Sequence, residues 1–462
     1  MRSDQSQRAD DGLVAAGSRS ARCPHLRSYP AIFALLILAI LTATLSSRAA
    51  DAPAPARLGA DTLNLVFIRS ADVDAATGDL SIKGLNRSLM MGSYLRSLLG
   101  GQSVSEIHAL IPTSHPVGPG RIPDLAPLET VQQFDLLSQH AIGYAGATLP
   151  IKVDIDYRNP DATLAAIHRM IAGRSIGNFF FSMPPAMLPA LLRGIMQAEH
   201  WSTGITEIPA DGYNLVYVLS IPPGGKPVIQ VVDAAIEPPD AYPNLNLRGG
   251  NACLQRPYTL STEGAPAYSV PDGINTDETL YFVRHVEAHP DGFEDGNYVC
   301  RGQWRAIGAT GILFAKIGGR PDYVYSSDPA EIKEGFSYVR PALSLSPFAI
   351  QNDLPLNLAA RDGSSIASND AGKVAAFFFF GGRFSGKTLL VGWGHTGIET
   401  AVADLVSRYG PVPRDLPLWN EDDYDTIYKV QLDVSGNLTF SNSCEGILTS
   451  SLPHACPTLR PR

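Results

Sequence analysis

The chain has 462 residues, 45% of them hydrophobic and 18% charged, and a net charge of −9. Six arginines against Asp4, Asp10 and Asp11 give the first fifty residues +3, which leaves −12 on the remainder. The remainder is longer than one ordinary domain and suggests two, and an acidic chain without a basic run is a poor candidate for binding nucleic acid.

Residues 1–30 are polar and carry several arginines, with no Arg-Arg dipeptide. Residues 31–45 (Ala-Ile-Phe-Ala-Leu-Leu-Ile-Leu-Ala-Ile-Leu-Thr-Ala-Thr-Leu) form an apolar core, followed by small residues around Ala49. The pattern reads as a secretory signal over residues 1–49, because the core is shorter than the roughly 20 residues that span a bilayer. The alternative is an uncleaved anchor. The expectation is an exported protein, periplasmic or secreted, with no stable membrane insertion after cleavage. Loss of Cys23 leaves Cys253, Cys300, Cys444 and Cys456. An even number in an exported chain favours two disulfides over buried free thiols. The pairing expected is Cys253–Cys300 with Cys444–Cys456. No C-x-x-C spacing is present, so a zinc site is not expected.

Residues 63–70 (Leu-Asn-Leu-Val-Phe-Ile-Arg-Ser) read as a short buried strand ending in Arg69 and Ser70. Gly84-Leu-Asn-Arg-Ser88 opens a helix that stops at Gly100 and Gly101. Residues 149–153, 178–183 and 211–217 supply further strand landmarks, with a helix over 163–172. The histidines of this half are scattered without ligand spacing and are expected on the surface or in loops. Residues 239–269, rich in Pro, Gly and Asn, read as a linker. A linker at 236–275 thus separates a unit at 55–235 from one at 276–435, with a tail at 436–462.

The second unit opens on residues 279–285 (Thr-Leu-Tyr-Phe-Val-Arg-His), again a short apolar run. It delivers Arg284 and His285 at its carboxyl end, where open α/β sheets bind ligands. Gly302-Gln-Trp-Arg-Ala306 opens a helix that ends at Gly318 and Gly319. A strand at 323–327 precedes Arg340, and one at 354–360 precedes Asp362. A strand at 388–393 delivers His395, and residues 398–409 then read as an amphipathic helix. A late strand at 424–430 and a hairpin turn at 433–437 follow. Gly381-Gly-Arg-Phe-Ser-Gly-Lys-Thr388 fits the phosphate-loop pattern G-x-x-x-x-G-K-[ST]. That loop requires a helix after it, whereas Lys387-Thr388 opens a strand, so it reads as a helix-to-strand connection.

Six landmarks recur in the same order in both units, which points to two copies of one α/β unit. Arg69 keeps the place of Arg284. Ser70 stands where His285 does, Ala126 where Arg340 does, and Pro185 where His395 does. The first copy is therefore expected to be degenerate and inactive.

Two arginines and two histidines converging on one rim would make a phosphate site. Guanidinium forks grip oxygens in pairs; one imidazole attacks phosphorus and the other steadies the developing charge. Val283-Arg-His-Val-Glu287, then Arg340, then Gly394-His395 resemble, over roughly residues 278–432, the histidine phosphatase (phosphoglycerate-mutase-like) superfamily. Val286 replaces the usual glycine, Phe336 the usual serine, and an insertion spans residues 328–336. The resemblance implies two tandem three-layer α/β/α sandwich units with mostly parallel sheets. It implies phosphoryl transfer to His285 and hydrolysis by water, with Arg284, Arg340 and His395 lining the pocket. No metal or cofactor is expected, since the arginines and imidazoles supply the positive charge. The proton donor should be a carboxyl of raised pKa. Asp362 is the first choice, against a plain turn aspartate, and Glu287 the second. The expected function is an exported phosphomonoesterase acting on a small phosphorylated substrate; the alternative is an inactive phosphate-ligand or protein-binding module of the same fold.

Overall fold

The computed structural model describes residues 57–142, 149–202, 209, 211–241, 254–290, 294–361 and 364–459. The expected signal, Cys253 and Asp362 lie outside the described residues. Among the described residues no helix is long and apolar enough to cross a membrane.

The first half runs β1 (Leu63–Arg69), α1 (Ile82–Leu99), β2 (Glu106–Leu110), α2 (Ala126–Ile142), β3 (Ile151–Ile155), α3 (Pro160–Ala172), β4 (Gly177–Met183), α4 (Leu188–Ala198), β5 (Leu215–Ile221) and β6 (Val228–Asp233). Its sheet has the order β3-β2-β4-β1-β5-β6. The first four of these are parallel, and β5 and β6 are antiparallel.

The second half begins with β7 (Thr259–Ser261), β8 (Glu278–Arg284), α5 (Cys300–Gly308), α6 (Thr310–Ile317) and β9 (Tyr323–Ser326). A hairpin of β10 (Ile332–Lys333) and β11 (Phe336–Ser337) leads to α7 (Arg340–Gln351) and β12 (Leu356–Leu358). A second hairpin, β13 (Ala360–Arg361) and β14 (Ser364–Ser365), precedes α8 (Ala371–Phe379) and β15 (Thr388–Trp393). The half closes with α9 (His395–Tyr409), β16 (Thr426–Leu432) and β17 (Leu438–Cys444). Its sheet has the order β12-β9-β15-β8-β16-β17-β7. Again the first four are parallel and the others antiparallel. Apart from the added edge strand β7, the two sheets share one strand order and one set of directions, with β1 in the place of β8.

Strand β1 is buried at all seven positions. A continuous apolar run requires this when helices cover both faces. Helices α1 and α2 cover one face of the first sheet and α3 and α4 the other; α5–α7 and α8–α9 do the same in the second. The class is α/β, with an α/β/α sandwich in each half. The inner helices of both halves, with the strand residues beneath them, join in one buried cluster. The two sandwiches therefore share an inner layer, in which α1 touches α7.

Some expectations shift. Residues 259–261, expected in the linker, form β7 against β17, and β17 itself comes from the expected tail. The phosphate-loop lookalike does connect α8 to β15, helix to strand. His108 is not superficial: it is 7% exposed, held by Asp154 at 2.9 Å and Glu106 at 3.0 Å. The cysteine pairing is corrected. Cys300 bonds to Cys456, and Cys444 is disulfide-bonded as well. The cause is the course of the tail, which turns back onto α5. Arg305 donates to the Ile447 carbonyl at 2.9 Å and Trp304 to that of Ala455 at 2.6 Å, which carries Cys456 to the start of α5.

Candidate active site

Strand β8 carries Arg284 and His285 to the carboxyl rim. The parallel pairing with β15 continues one residue past the strand, as the His285 amide donates to the Trp393 carbonyl at 2.9 Å. Beside it β15 ends and α9 begins at once, so His395 is the first residue of a helix, three residues earlier than the periodicity suggested. Arg340 is the first residue of α7, its amide donating to the Gly296 carbonyl at 2.9 Å. One bond ties the two elements together: the Val286 amide donates to Ser344 Oγ at 3.0 Å. That bond sets the end of β8 against the first turn of α7. It explains how Arg340 reaches the rim despite the insertion before it.

His285 is 3% exposed. Its Nδ1 lies 2.9 Å from the Val286 carbonyl oxygen. A carbonyl only accepts, so the proton is on Nδ1 and the lone pair on Nε2. Burial, together with the charges of Arg340 and Arg284, holds this imidazole well below its ordinary range. His395 is lowered to about 4 by burial and by Arg284, Lys333 and Arg340. Near neutral pH both imidazoles are uncharged, and the charge of the site is guanidinium charge.

The two guanidiniums are held differently. Arg284 lies 4.1 Å over the Tyr424 ring and donates through Nη1 to the carbonyls of Glu421 and Asp423. Arg340 stands 5.0 Å from the centre of the Tyr338 ring. Each is 8% exposed, and each has a buried Nε with no protein partner. Buried donors of this kind are rare in folded proteins, and two of them beside a neutral imidazole suit an oxyanion ligand.

Glu287 is placed elsewhere. Its carboxylate faces Arg305, which donates to its two oxygens at 2.9 and 3.0 Å, and Thr449 donates to it at 2.9 Å. Arg305 is 1% exposed and also pairs with Asp425 and Glu445. A carboxylate so engaged is held in a structural network, which speaks against Glu287 as proton donor; Asp362, the other candidate, lies outside the described residues. His289 sits between the halves, near Gln139 at 2.8 Å and Asp295 at 3.1 Å.

The rim of the first sheet repeats this framework without the imidazoles. The Ser70 amide donates to the Met183 carbonyl at 3.0 Å, as His285 does to Trp393. The Ala71 amide donates to Thr130 Oγ1 at 2.9 Å, four residues after Ala126, as Val286 does to Ser344. Arg69 lies 4.3 Å over Tyr213, as Arg284 does over Tyr424. Arg87 pairs with Asp72 at 2.5 Å, as Arg305 does with Glu287. A pairing present where there is no histidine is a device of the fold, which supports the structural reading of Glu287.

Sequence reasoning missed Lys333, Tyr338 and Tyr424 as parts of this rim. The signal for Tyr424 was present in Tyr213 and Tyr424 occupying equivalent places; nothing in the spacing marked Lys333 or Tyr338.

No family model matches the chain, and no curated protein matches it. Among solved structures it is similar to the protein histidine phosphatase SixA complexed with tungstate, at 17% identity, 36% of this chain, 97% of that one and a TM-score of 0.26. It is also similar to a phosphoglycerate mutase from Plasmodium falciparum, at 15% identity, 40% and 100% coverage and a TM-score of 0.26. A third is a phosphoserine phosphatase from Entamoeba histolytica in complex with 3-phosphoglyceric acid, at 14% identity, 37% and 100% coverage and a TM-score of 0.26. At this level of likeness nothing about the site of this chain is carried over from them.

Proposed function

We propose that the chain is an exported phosphomonoesterase that works through a phosphohistidine on His285. The observation that carries this is the state of His285: buried, neutral, its Nδ1 proton fixed on the Val286 carbonyl and its Nε2 lone pair available, between two buried arginines. Nε2 attacks phosphorus, the N–P bond forms and the bond from phosphorus to the leaving oxygen breaks. That oxygen takes a proton from a carboxylic acid, for which Asp362 is the candidate. Water then attacks the phosphohistidine, gives its proton back to the same carboxylate and releases phosphate. Arg284 and Arg340 hold the non-bridging oxygens throughout. His395, neutral, donates a ring N–H to charge that builds in the transition state.

The shared strand order and the four repeated contacts support reading residues 55–235 as a degenerate copy of the second unit. With Ser70, Ala126 and Pro185 in place of the two imidazoles and the second arginine, it cannot form a phosphohistidine. Export rests on the apolar segment at 31–45, and N-terminal sequencing of the mature protein tests it: a chain beginning near Ala50 is expected, and an intact membrane-bound N-terminus rejects it. The catalytic reading is tested by brief incubation with an aryl phosphate and an acid-free quench. An acid-labile, base-stable phosphoryl group is expected on wild type and absent from His285→Ala. Phosphate binding that survives in His285→Ala, without turnover of any monoester by wild type, would show a binding module instead.

A further inference from the structure

The hairpin β10–β11 lies within the insertion before Arg340. Ile332 pairs with Ser337 and Lys333 with Phe336, across Glu334 at φ 56° and Gly335 at φ 88°. Two consecutive positive φ angles make a tight primed turn, which fixes the strand register. The hairpin is anchored from three sides. Ser337 Oγ accepts from the Val153 amide of β3 at 3.0 Å. The Tyr338 amide donates to the Glu331 carbonyl at 2.8 Å. The Glu331 carboxylate accepts from the amide and hydroxyl of Ser368. Lys333 is thus carried on a fixed backbone, half-buried.

Its ammonium stands 4.7 Å over the Tyr338 ring. The same ring has the Arg340 guanidinium 5.0 Å from its centre and the His285 ring edge-on at 6.1 Å. A Cβ at Gly394, next to His395, would lie 2.6 Å from Tyr338 Oη and 3.8 Å from Lys333 Nζ. Tyr338 is therefore a floor shared by the nucleophile, one phosphate arginine and the lysine. Among the described residues no carboxylate pairs with Lys333, and its neighbour Glu331 is engaged by Ser368. A phosphomonoester brings about two negative charges at neutral pH, which Arg284 and Arg340 already match. The lysine is a surplus cation at the edge of a site whose charge is otherwise balanced.

We propose that Lys333 selects substrates carrying a second anionic group, a carboxylate or a further phosphate, beyond the phosphoryl group transferred to His285. The proposal rests on the phosphatase reading for its chemistry, but its test does not need turnover. Calorimetry on the full chain would compare methylphosphonate with 3-phosphonopropionate and methylenediphosphonate, for wild type, Lys333→Gln and Lys333→Arg. Wild type is expected to prefer at least one of the doubly anionic ligands by about tenfold, the size of one added charge-assisted contact. The preference falls to near unity in Lys333→Gln and is largely kept in Lys333→Arg. Which of the two ligands is preferred distinguishes carboxylate from phosphate. No preference in wild type overturns the proposal. So does an equal loss on all three ligands in Lys333→Gln, which would make the lysine a third ligand of the transferred phosphate. If the preference holds but no monoester is turned over, the phosphatase reading fails and this one stands. If turnover occurs with no preference, the reverse is true.

Discussion

At the scale of single residues, the site is governed by which groups are kept uncharged. Arg340 is one of the cations that disfavour imidazolium at both histidines. Arg340→Gln should therefore raise the titration midpoint of His395 from about 4, as read from its ring signals by NMR; no rise would mean the two do not face each other. Glu287→Gln separates structure from chemistry. It should lower stability by about 3–5 kcal/mol, since it leaves Arg305 buried with a partner removed. The basic limb of the pH–rate profile should stay in place, whereas loss of a proton donor would abolish that limb. Glu278 gives a stability signature. Burial raises it from 4.5 to about 8, so between those values the folded chain holds a proton that the unfolded chain has lost. Stability from this group is complete below 4.5 and declines as pH rises towards 8. Glu278→Gln, an uncharged isostere that can still accept from Asn275, should flatten that decline in thermal melts and change little at pH 4.

At the scale of elements, the two helices with a glycine in the first turn, α1 and α5, show how closely the rims are built. A Cβ at Gly302 would lie 2.6 Å from the Glu287 carbonyl, and one at Gly84 2.1 Å from that of Asp72. Each Gly→Ala change should destabilise by about 1–3 kcal/mol through overpacking. Only Gly302→Ala should also weaken phosphate binding, because α5 would press on the segment that follows His285. Equal effects on binding from both changes would contradict the placement of the site. Much of this was legible in the sequence. Short apolar runs ending in Arg69-Ser70 and Arg284-His285 marked the central strands, because a strand buried on both faces has no polar alternation to blur it. What was not legible depended on contacts between distant segments. The start of α9 at His395 was missed because its first turn, Thr396-Gly397, carries no apolar periodicity. Glu287 looked available because Arg305 is eighteen residues away in sequence. The cysteines were paired by nearness along the chain, whereas the tail doubles back across α5.

At the scale of the molecule, the shared inner layer means that neither half is complete by itself. Residues 254–459 produced alone should expose the inner faces of α5 to α7, bind a hydrophobic dye and lack a sharp melting transition. Co-expression with residues 57–241 should restore a cooperative fold; a well-behaved isolated second half would show that the layer is dispensable. The Cys300–Cys456 bond closes a loop spanning 156 positions. Replacing both cysteines by serine should cost about 2–5 kcal/mol, measured by denaturant unfolding under matched conditions.

The hairpin bearing Lys333 is fastened to β3 of the first half through the bond from Val153 to Ser337. In a two-subunit enzyme such a loan of support would vanish on dilution, and its strength would follow protein concentration. Here the lender is covalently attached, so the support is always present and always in the same stoichiometry. A half whose rim carries no imidazole can then remain indispensable, as a built-in support of its neighbour's geometry.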